Sequence, residues 1–563
     1  MEPKIKMRRS LVLLALTVAV VAAAVLVAER FSLRLDWSSD RSNTLSAASR
    51  GLYKEIPEQV RITYYISSTL SARHPGPRAV EDLLRSLESA SKGRIVVETE
   101  DPGSGKGENA AQGLGVTPQR MQVVEKNEAR VALVYSGIVV RYLDRTQVLP
   151  FVIGTDTLEY DLVKAVRAAV ADRKPIASIL VGDADKSLDQ DYQNLSKALE
   201  QSGWDRRELG RGEAVPPESA VLIVLGNSGL EDYDVYRIDA YLASGGKALF
   251  AVKGVDVTAR QGLYAQPLQQ DALLRALEAY GVKVDRKLVL DASSLTLPFQ
   301  TASPYGGAMI NYVRYPHWIM TRPENRDGKS PLTSRLAGLD LFWPSPLELV
   351  SRSGVEETAL VKTTPDAWLQ EKDFAVGPEQ AGMYAAGAEA TKGQYVLAAS
   401  LSGVLPQAYA GKELPKRSGA EPLAALPERS LVSRIIVVGS SDFATDYMSI
   451  TESEFNAVFI AGAADWLSSG DDLLALKTRG QRDTRFSKVQ GPEAKSALVT
   501  LAYVVNVGLV PVAVLAFGLV RAGRRRRFER DEAEARMAGR GPGDAGASES
   551  AADSAATAAK EDK

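Results

Sequence analysis

The sequence predicts an α/β protein held between two terminal transmembrane helices, and three observations predict it. Long uncharged apolar runs lie near both ends, at residues 11–28 and 497–520. Basic residues flank each run on its terminal side. Between them, short apolar runs alternate with segments of helical periodicity, the pattern of a parallel sheet covered on both faces.

Over the first run, ~1.5 Å of rise per residue gives ~27 Å, enough for the hydrocarbon core of a bilayer. Lys4, Lys6, Arg8 and Arg9 precede it, which places residues 1–10 in the cytoplasm by the positive-inside rule. Ala22-Ala23-Ala24 also resembles a signal-peptidase site, so a cleaved leader is the competing reading. The second run contains Asn506 and Pro511, which neighbouring helices can satisfy, and ends in Arg521, Arg524, Arg525, Arg526, Arg527 and Arg530. Both charge signals put the termini inside and residues 30–495 outside the bacterial cytoplasmic (inner) membrane, with the lipid bilayer as a partner. Residues 521–563 read as a basic stop and a disordered tail rich in Ala, Gly and Ser.

After a juxtamembrane segment at 30–57, residues 58–172 read as a small domain. A β-rich run at 60–66 is followed by helical spacing at 80–87 and a strand at 94–100 that closes on Asp101-Pro102-Gly103. Runs at 130–134 and 138–143 flank Tyr135-Ser136-Gly137 and predict a hairpin or meander, and a helix follows at 157–171. That order is thioredoxin-like. The chain has no cysteine, which excludes thiol redox work, disulfides and thiolate metal sites.

Residues 174–470 carry a clearer rhythm. Strands are expected at 176–181, 221–225, 248–252 and 434–438, and helices at 191–203, 268–280 and 454–467. The Pro- and aromatic-rich stretch 282–430 reads as an insertion into, or beside, the parallel sheet.

Composition narrows the chemistry. With 68 Lys and Arg against 70 Asp and Glu, and no basic block away from the two apolar runs, nucleic acid is not an expected partner. Only two histidines exist, His74 and His317, which limits histidine-based catalysis and metal binding. Gly103-Ser104-Gly105-Lys106-Gly107 fails as a phosphate loop, since Glu100 stands at the first glycine position and Gly107 at the Ser/Thr position. Gly226-Asn227-Ser228-Gly229 fails as a nucleophile elbow because Leu230 replaces the last glycine. No cofactor is expected. The loops after the four strands should share the carboxyl edge of the sheet, where open α/β sheets bind ligands. The candidate crevice residues are therefore Asp183, Asp185, Asn227, Ser228, Asp256, Ser441 and Asp442. Acidic residues at such positions also serve as ordinary helix caps and turn residues. His317, in Tyr315-Pro316-His317-Trp318, reads as a packed histidine, and His74 as a loop residue.

Several segments together resemble the gliding-motility auxiliary family, the GldG-like components of ABC-type transport systems. They are Asp36-Trp37-Ser38-Ser39-Asp40-Arg41-Ser42-Asn43-Thr44-Leu45-Ser46, then Asp239-Ala240-Tyr241-Leu242-Ala243-Ser244-Gly245-Gly246-Lys247, then Val437-Val438-Gly439-Ser440-Ser441-Asp442-Phe443. Asn456-Ala457 through Asp465-Trp466-Leu467 and the arginine stop complete the match, which covers nearly the whole chain. The resemblance implies a flavodoxin-like, class I glutamine amidotransferase-like domain without its nucleophile. It also implies a non-enzymatic auxiliary subunit working beside an ABC permease and a separate cytoplasmic ATPase, with an extracytoplasmic region that binds a substrate, an envelope component or a partner. It does not imply gliding, and the tail after Arg530 departs from the family pattern. The alternatives are an envelope hydrolase or amidotransferase-like enzyme, and a structural envelope tether.

Overall fold

The computed structural model describes residues 45–469 except 104–105, 126–127, 156, 259–262, 303–307, 335, 386–387 and 452, together with Gly518 and Arg530. By their contacts the residues divide into Met1–Arg482 and Asp483–Lys563, and the sheets and helices described lie in the first. Among the described residues no helix is long and apolar enough to cross a membrane. The described helices therefore do not support the expected pair of terminal spans around the α/β region, nor the inner-membrane placement drawn from them. Length is the physical reason. The longest described helix has 15 residues and reaches ~22 Å, short of a ~30 Å hydrocarbon core. The apolar runs at 11–28 and 497–520, the residues before Leu45 and the tail beyond Arg530 lie outside the described residues.

Near the amino end, β1 (Val60–Ile66) buries every residue but Arg61. Helix α1 (Gly76–Ala90) follows and packs through Val80, Leu84 and Leu87, one stripe at helical spacing. Strand β2 (Ile95–Glu100) then pairs parallel to β1. Strands β3 (Gln119–Glu125) and β4 (Glu128–Val134) form a separate antiparallel hairpin. Next, β5 (Ser136–Tyr142) pairs antiparallel with β1, and β6 (Arg145–Leu149) with β5, giving the order β2-β1-β5-β6. Helix α2 (Leu158–Val170) adds Leu158, Leu162 and Val166 to this core.

The expected hairpin of 130–134 with 138–143 is therefore corrected. The chain is pinned between those runs, because Tyr135 N donates to Ser67 Oγ at 2.9 Å and its carbonyl accepts from Ser67 N at 3.1 Å. The strands on either side of Tyr135 enter different sheets.

The larger sheet begins with β7 (Ile176–Val181), α3 (Gln193–Gln201), β8 (Asp205–Leu209), β9 (Ser219–Leu225), α4 (Asp232–Ala243) and β10 (Lys247–Ala251). Helix α5 (Ala272–Tyr280) is capped by Asp271, whose side chain accepts from Leu274 N, and stops at Gly281. After it come β11 (Val282–Val284), β12 (Leu288–Asp291), β13 (Ser294–Ala302), β14 (Ala308–Met320), β15 (Asp340–Phe342), β16 (Leu347–Leu349), β17 (Val355–Lys362), β18 (Ala367–Gln370) and β19 (Val396–Val404). Strand β20 (Val432–Val438) and helix α6 (Phe455–Ser468) complete the set.

Nine of these strands form one sheet in the order β11-β16-β19-β20-β10-β9-β7-β8, with β17 also paired to β19. Its β20-β10-β9-β7-β8 half is parallel, whereas β19 runs antiparallel to β20, β17 and β16. The all-parallel expectation is thus corrected to a mixed sheet. Residues 282–430 supply four of its nine strands and are continuous with it rather than merely beside it. Alternation sorts the two faces. Ile179, Ile223, Leu249 and Ile436 pack with α3 and α6, while Leu180, Leu222, Phe250 and Ile435 pack with α4 and α5. The smaller sheet is tied on by Lys164 of α2, which pairs with Asp465 of α6, and Trp204 Nε1 donates to the same carboxylate at 3.2 Å.

Candidate functional site

Strands β7, β9, β10 and β20 are parallel neighbours, so the loops that follow them meet at one edge. Gly226 lets two of these loops close. Its φ is +82°, and a Cβ there would stand 2.2 Å from the Asp183 carboxyl carbon, so no side chain fits. The carboxylate tucked against it is fully buried and accepts from five donors. Asp183 Oδ1 takes Asn227 N at 3.1 Å, Ser228 N at 3.3 Å and Ser228 Oγ at 2.9 Å. Asp183 Oδ2 takes Lys253 Nζ at 2.8 Å and Lys186 Nζ at 3.3 Å.

Both lysines reach onward. Lys186 Nζ lies 2.6 Å from Asp442 Oδ1, and Lys253 Nζ lies 2.6 Å from Asp256 Oδ1. The result is a chain of alternating charge, Asp256–Lys253–Asp183–Lys186–Asp442, that links the ends of β7, β10 and β20. Burial by itself would raise the Asp183 pKa, but Lys253 and Lys186 override it and hold the carboxyl well below the usual carboxylate range. The reverse holds for the cations. Burial works against Lys186, yet Asp442 and Asp183 keep it protonated far above its ordinary value, and Asp183 and Asp442 do the same for Lys253.

Asn227 joins this chain to α5. Its Oδ1 accepts from Lys253 N at 2.9 Å, and its Nδ2 donates to Lys253 O at 3.1 Å and to Asp271 Oδ2 at 2.7 Å. Asp271 is raised in pKa by burial. Two buried hydroxyls border the network without a hydrogen-bond partner among the described residues, Tyr192 OH and Ser441 Oγ. Burial, then Asp183 and Asp442, push the Tyr192 phenol well up.

Five of the seven residues expected to line a crevice therefore do converge: Asp183, Asn227, Ser228, Asp256 and Asp442. Ser441 is buried beside Asp442, and Asp185 is exposed and only adds its field to Lys186. What sequence reasoning missed are the lysines that knit the carboxylates together, and Tyr192. Lys253 had a visible signal: it is a lone charge ending the apolar run Ala248-Leu249-Phe250-Ala251-Val252.

Chemically this is an edge of paired charge, in which three carboxylates share two lysines. Ser228 Oγ donates to a carboxylate too weakly basic to take its proton, so it is not an activated nucleophile. His317 is fully buried elsewhere, in an aromatic cluster with Tyr315, Trp318 and Tyr384, and burial lowers its pKa to about 4. His74 Nδ1 simply accepts from Gly76 N in an exposed turn. In the glycine-rich loop, the Asp101 carboxylate accepts from Gly103 N at 3.0 Å and Ser68 N at 3.1 Å. Among the described residues no cluster of His, Cys, Asp and Glu is arranged to hold a metal ion.

Comparison with known proteins places this sheet. A family described as "ABC-type uncharacterized transport system" matches residues 174–469, and a domain of unknown function matches residues 39–141. An uncharacterized protein of Borreliella burgdorferi is 23% identical over 504 residues, covering 88% of this chain and 94% of that protein. Among solved structures, a ThuA-like protein from Parabacteroides merdae aligns over 53% of this chain and 91% of its own at 9% identity, with a TM-score of 0.25. An exo-β-1,4-mannosidase from an Opitutaceae bacterium aligns over 71% and 50% at 10% identity, with a TM-score of 0.21. At those scores neither likeness carries an argument.

Proposed function

This chain belongs to the ABC-type uncharacterized transport system family, and from that premise we propose that it is a non-enzymatic auxiliary subunit that works beside a permease and a separate ATPase. The observation that carries the reading is the extent of the family match. Residues 174–469 take in the whole parallel half of the nine-stranded sheet, its two helical layers and the strands inserted into it. An auxiliary role in a transport system follows from membership itself; the partner subunits and the absence of catalysis are the proposal.

The chemistry of the carboxyl edge supports the non-enzymatic part. Its carboxylates are bound to lysines, its lysines are held protonated, and its one exposed serine hydroxyl faces an ionised aspartate of low basicity. Such an edge stiffens the sheet and leaves binding to other surfaces.

Affinity purification of the tagged protein tests the proposal. A permease and an ATPase recovered in comparable amounts, with ATP hydrolysis in the recovered assembly and none in the isolated chain, is the expected result. Recovery of neither subunit would sink it. The enzyme alternative is tested on the same strain. If Ser228→Ala, Ser441→Ala or His317→Gln abolished function in a folded protein, catalysis would displace the auxiliary reading.

A further inference from the structure

Between β19 and β20, residues 405–431 cross α4 as a strap without helix or strand, and a cavity lies beneath part of it. The strap is tied down along its length. Tyr233 OH donates to Glu421 O and Tyr236 OH to Ala424 O, each at 2.7 Å. Asp239 accepts from Ala408 N at 3.1 Å and Tyr409 N at 3.0 Å, and Arg417 pairs with Asp234 and Glu231. The cavity between strap, helix and the loop joining β8 to β9 measures about 310 Å³, a volume in the range of small-molecule sites. With its walls anchored in this way, the cavity is pre-formed, and an occupant need not order it.

Its lining is apolar except at one point. Val215 and Pro217 face it from the loop, Leu423 and Ala425 from the strap, and Ala240 from the helix. The hydroxyls that line it are engaged elsewhere: Tyr236 OH on the strap, Ser244 Oγ on Ala240 O at 2.9 Å, and Tyr241 OH on Ser219 O and Lys247 O at 3.4 Å. Arg237 is the only charged residue lining it among the described residues. Its Nη2 donates to Tyr233 OH at 2.9 Å, and its guanidinium carbon lies 5.4 Å from the centre of that ring. Its Nε is buried with no hydrogen-bond partner among the described residues, a costly state for a cationic group. Glu421 stands 3.9 Å from Nη2 on a side chain 89% exposed, so solvent screens that pair. The two other carboxylates at this end of α4, Glu231 and Asp234, are taken by Arg417. Arg237 thus brings to an apolar cavity a positive charge that little offsets.

We propose that this cavity binds a short-chain aliphatic carboxylate, with the carboxylate on Arg237 and the hydrocarbon chain against Val215, Ala240 and Leu423. A single cation in an apolar lining selects one anionic head and an apolar body. Sugars and zwitterions are disfavoured, because they would bury polar groups for which the lining has no free partner. The head group follows from the guanidinium, whose donors make charge-assisted hydrogen bonds to a carboxylate. The helix sets the length. From Arg237 to Ser244 it rises ~10 Å, room for a chain of about six to eight carbons at ~1.3 Å each.

Titration calorimetry on the purified full chain tests this with hexanoate, butanoate and hexanamide. Hexanoate is expected to bind, and hexanamide to bind about tenfold more weakly for want of one charge-assisted contact. Butanoate should bind about 15-fold more weakly than hexanoate, at about fourfold per methylene buried. In Arg237→Gln, hexanoate should fall to the level of hexanamide while hexanamide itself is unchanged, which reports an intact cavity. Ala240→Leu fills the space beside the helix and should weaken both ligands. No binding of hexanoate, equal binding of hexanoate and hexanamide, or hexanoate binding undiminished in either variant would each overturn the proposal. Should Arg237→Gln lose both ligands, Arg237→Lys keeps the charge and must retain the preference for hexanoate; a lysine variant without that preference also overturns it. No transporter subunit enters the readout, so this site stands or falls apart from the auxiliary role.

Discussion

The carboxyl edge of the large sheet and the aromatic cluster of the insert both bury polar groups, and they do so in opposite ways. At the edge, Asp183 is buried fully charged, with five donors, two of them lysines that lead to further carboxylates. In the cluster, His317 is buried neutral, with Nε2 bonded to Gln370 Oε1 at 3.1 Å, while its Nδ1 and Trp318 Nε1 have no hydrogen-bond partner among the described residues. A full charge in a low-dielectric interior demands complete neutralisation, whereas a neutral ring tolerates a missing bond at about 1–3 kcal/mol. The edge is therefore robust to acid and fragile to mutation, and the cluster the reverse.

The largest expected effect breaks the edge. Lys253→Met removes the closer cation from Asp183 and strands Asp256, and urea unfolding should show a loss of about 3–5 kcal/mol. The paired change Asp183→Asn with Lys253→Met should restore much of it, because the fully buried Asp183 charge is gone and only the partly exposed Asp256 is left without its lysine. A single substitution costing under about 1 kcal/mol would mean the edge is not an interlocked unit.

Acid separates the two regions. His317 has a folded pKa of about 4 against about 6.5 when unfolded, so between those values only the unfolded chain takes up its proton. Its contribution is fully present above pH 6.5 and is lost as pH falls toward 4, at most about 3 kcal/mol. For Asp183, whose folded pKa is depressed, the contribution is present above the ordinary carboxylate value near 4 and is lost only below it. Stability measured from pH 7 to 4.5 should slope downward, and His317→Gln should flatten that slope. A slope unchanged in the variant would assign it to other groups.

The smallest effect sharpens the same contrast. Ser228 is exposed and gives the edge one hydroxyl bond, so Ser228→Ala should cost about 1 kcal/mol or less. A loss above about 2 kcal/mol would show that this hydroxyl is as integral to the network as the lysines.

Legibility in the sequence followed the same physical divide. Runs at 176–181 and 434–438 could be read because a central parallel strand is apolar on both faces and leaves an unbroken signature. Helix α6 was visible within a residue or two for a similar reason. Strand β19, Val-Leu-Ala-Ala-Ser-Leu-Ser-Gly-Val, alternates apolar residues with serines because one of its faces floors a polar cavity, and it did not read as the antiparallel neighbour of β20. At the carboxyl edge the strand-end position of each aspartate was legible. Their partners were not, since Lys253 lies 70 residues from Asp183, and Lys186 lies 256 from Asp442. Two apolar runs with basic flanks pointed to membrane spans, yet no described helix can serve as one.

The order in which the chain emerges during synthesis adds a consequence of the β10–β20 pairing. Strand β10 waits for a neighbour about 187 residues downstream, roughly 10–40 s at ribosomal speeds of ~5–20 residues per second. Throughout that delay the open side of Lys247–Ala251, in the middle of the finished sheet, presents unpaired backbone and apolar side chains. The nascent chain is thus most exposed to misassociation just before Val432–Val438 leaves the tunnel, and slowing translation across residues 252–431 should lengthen its dependence on chaperones.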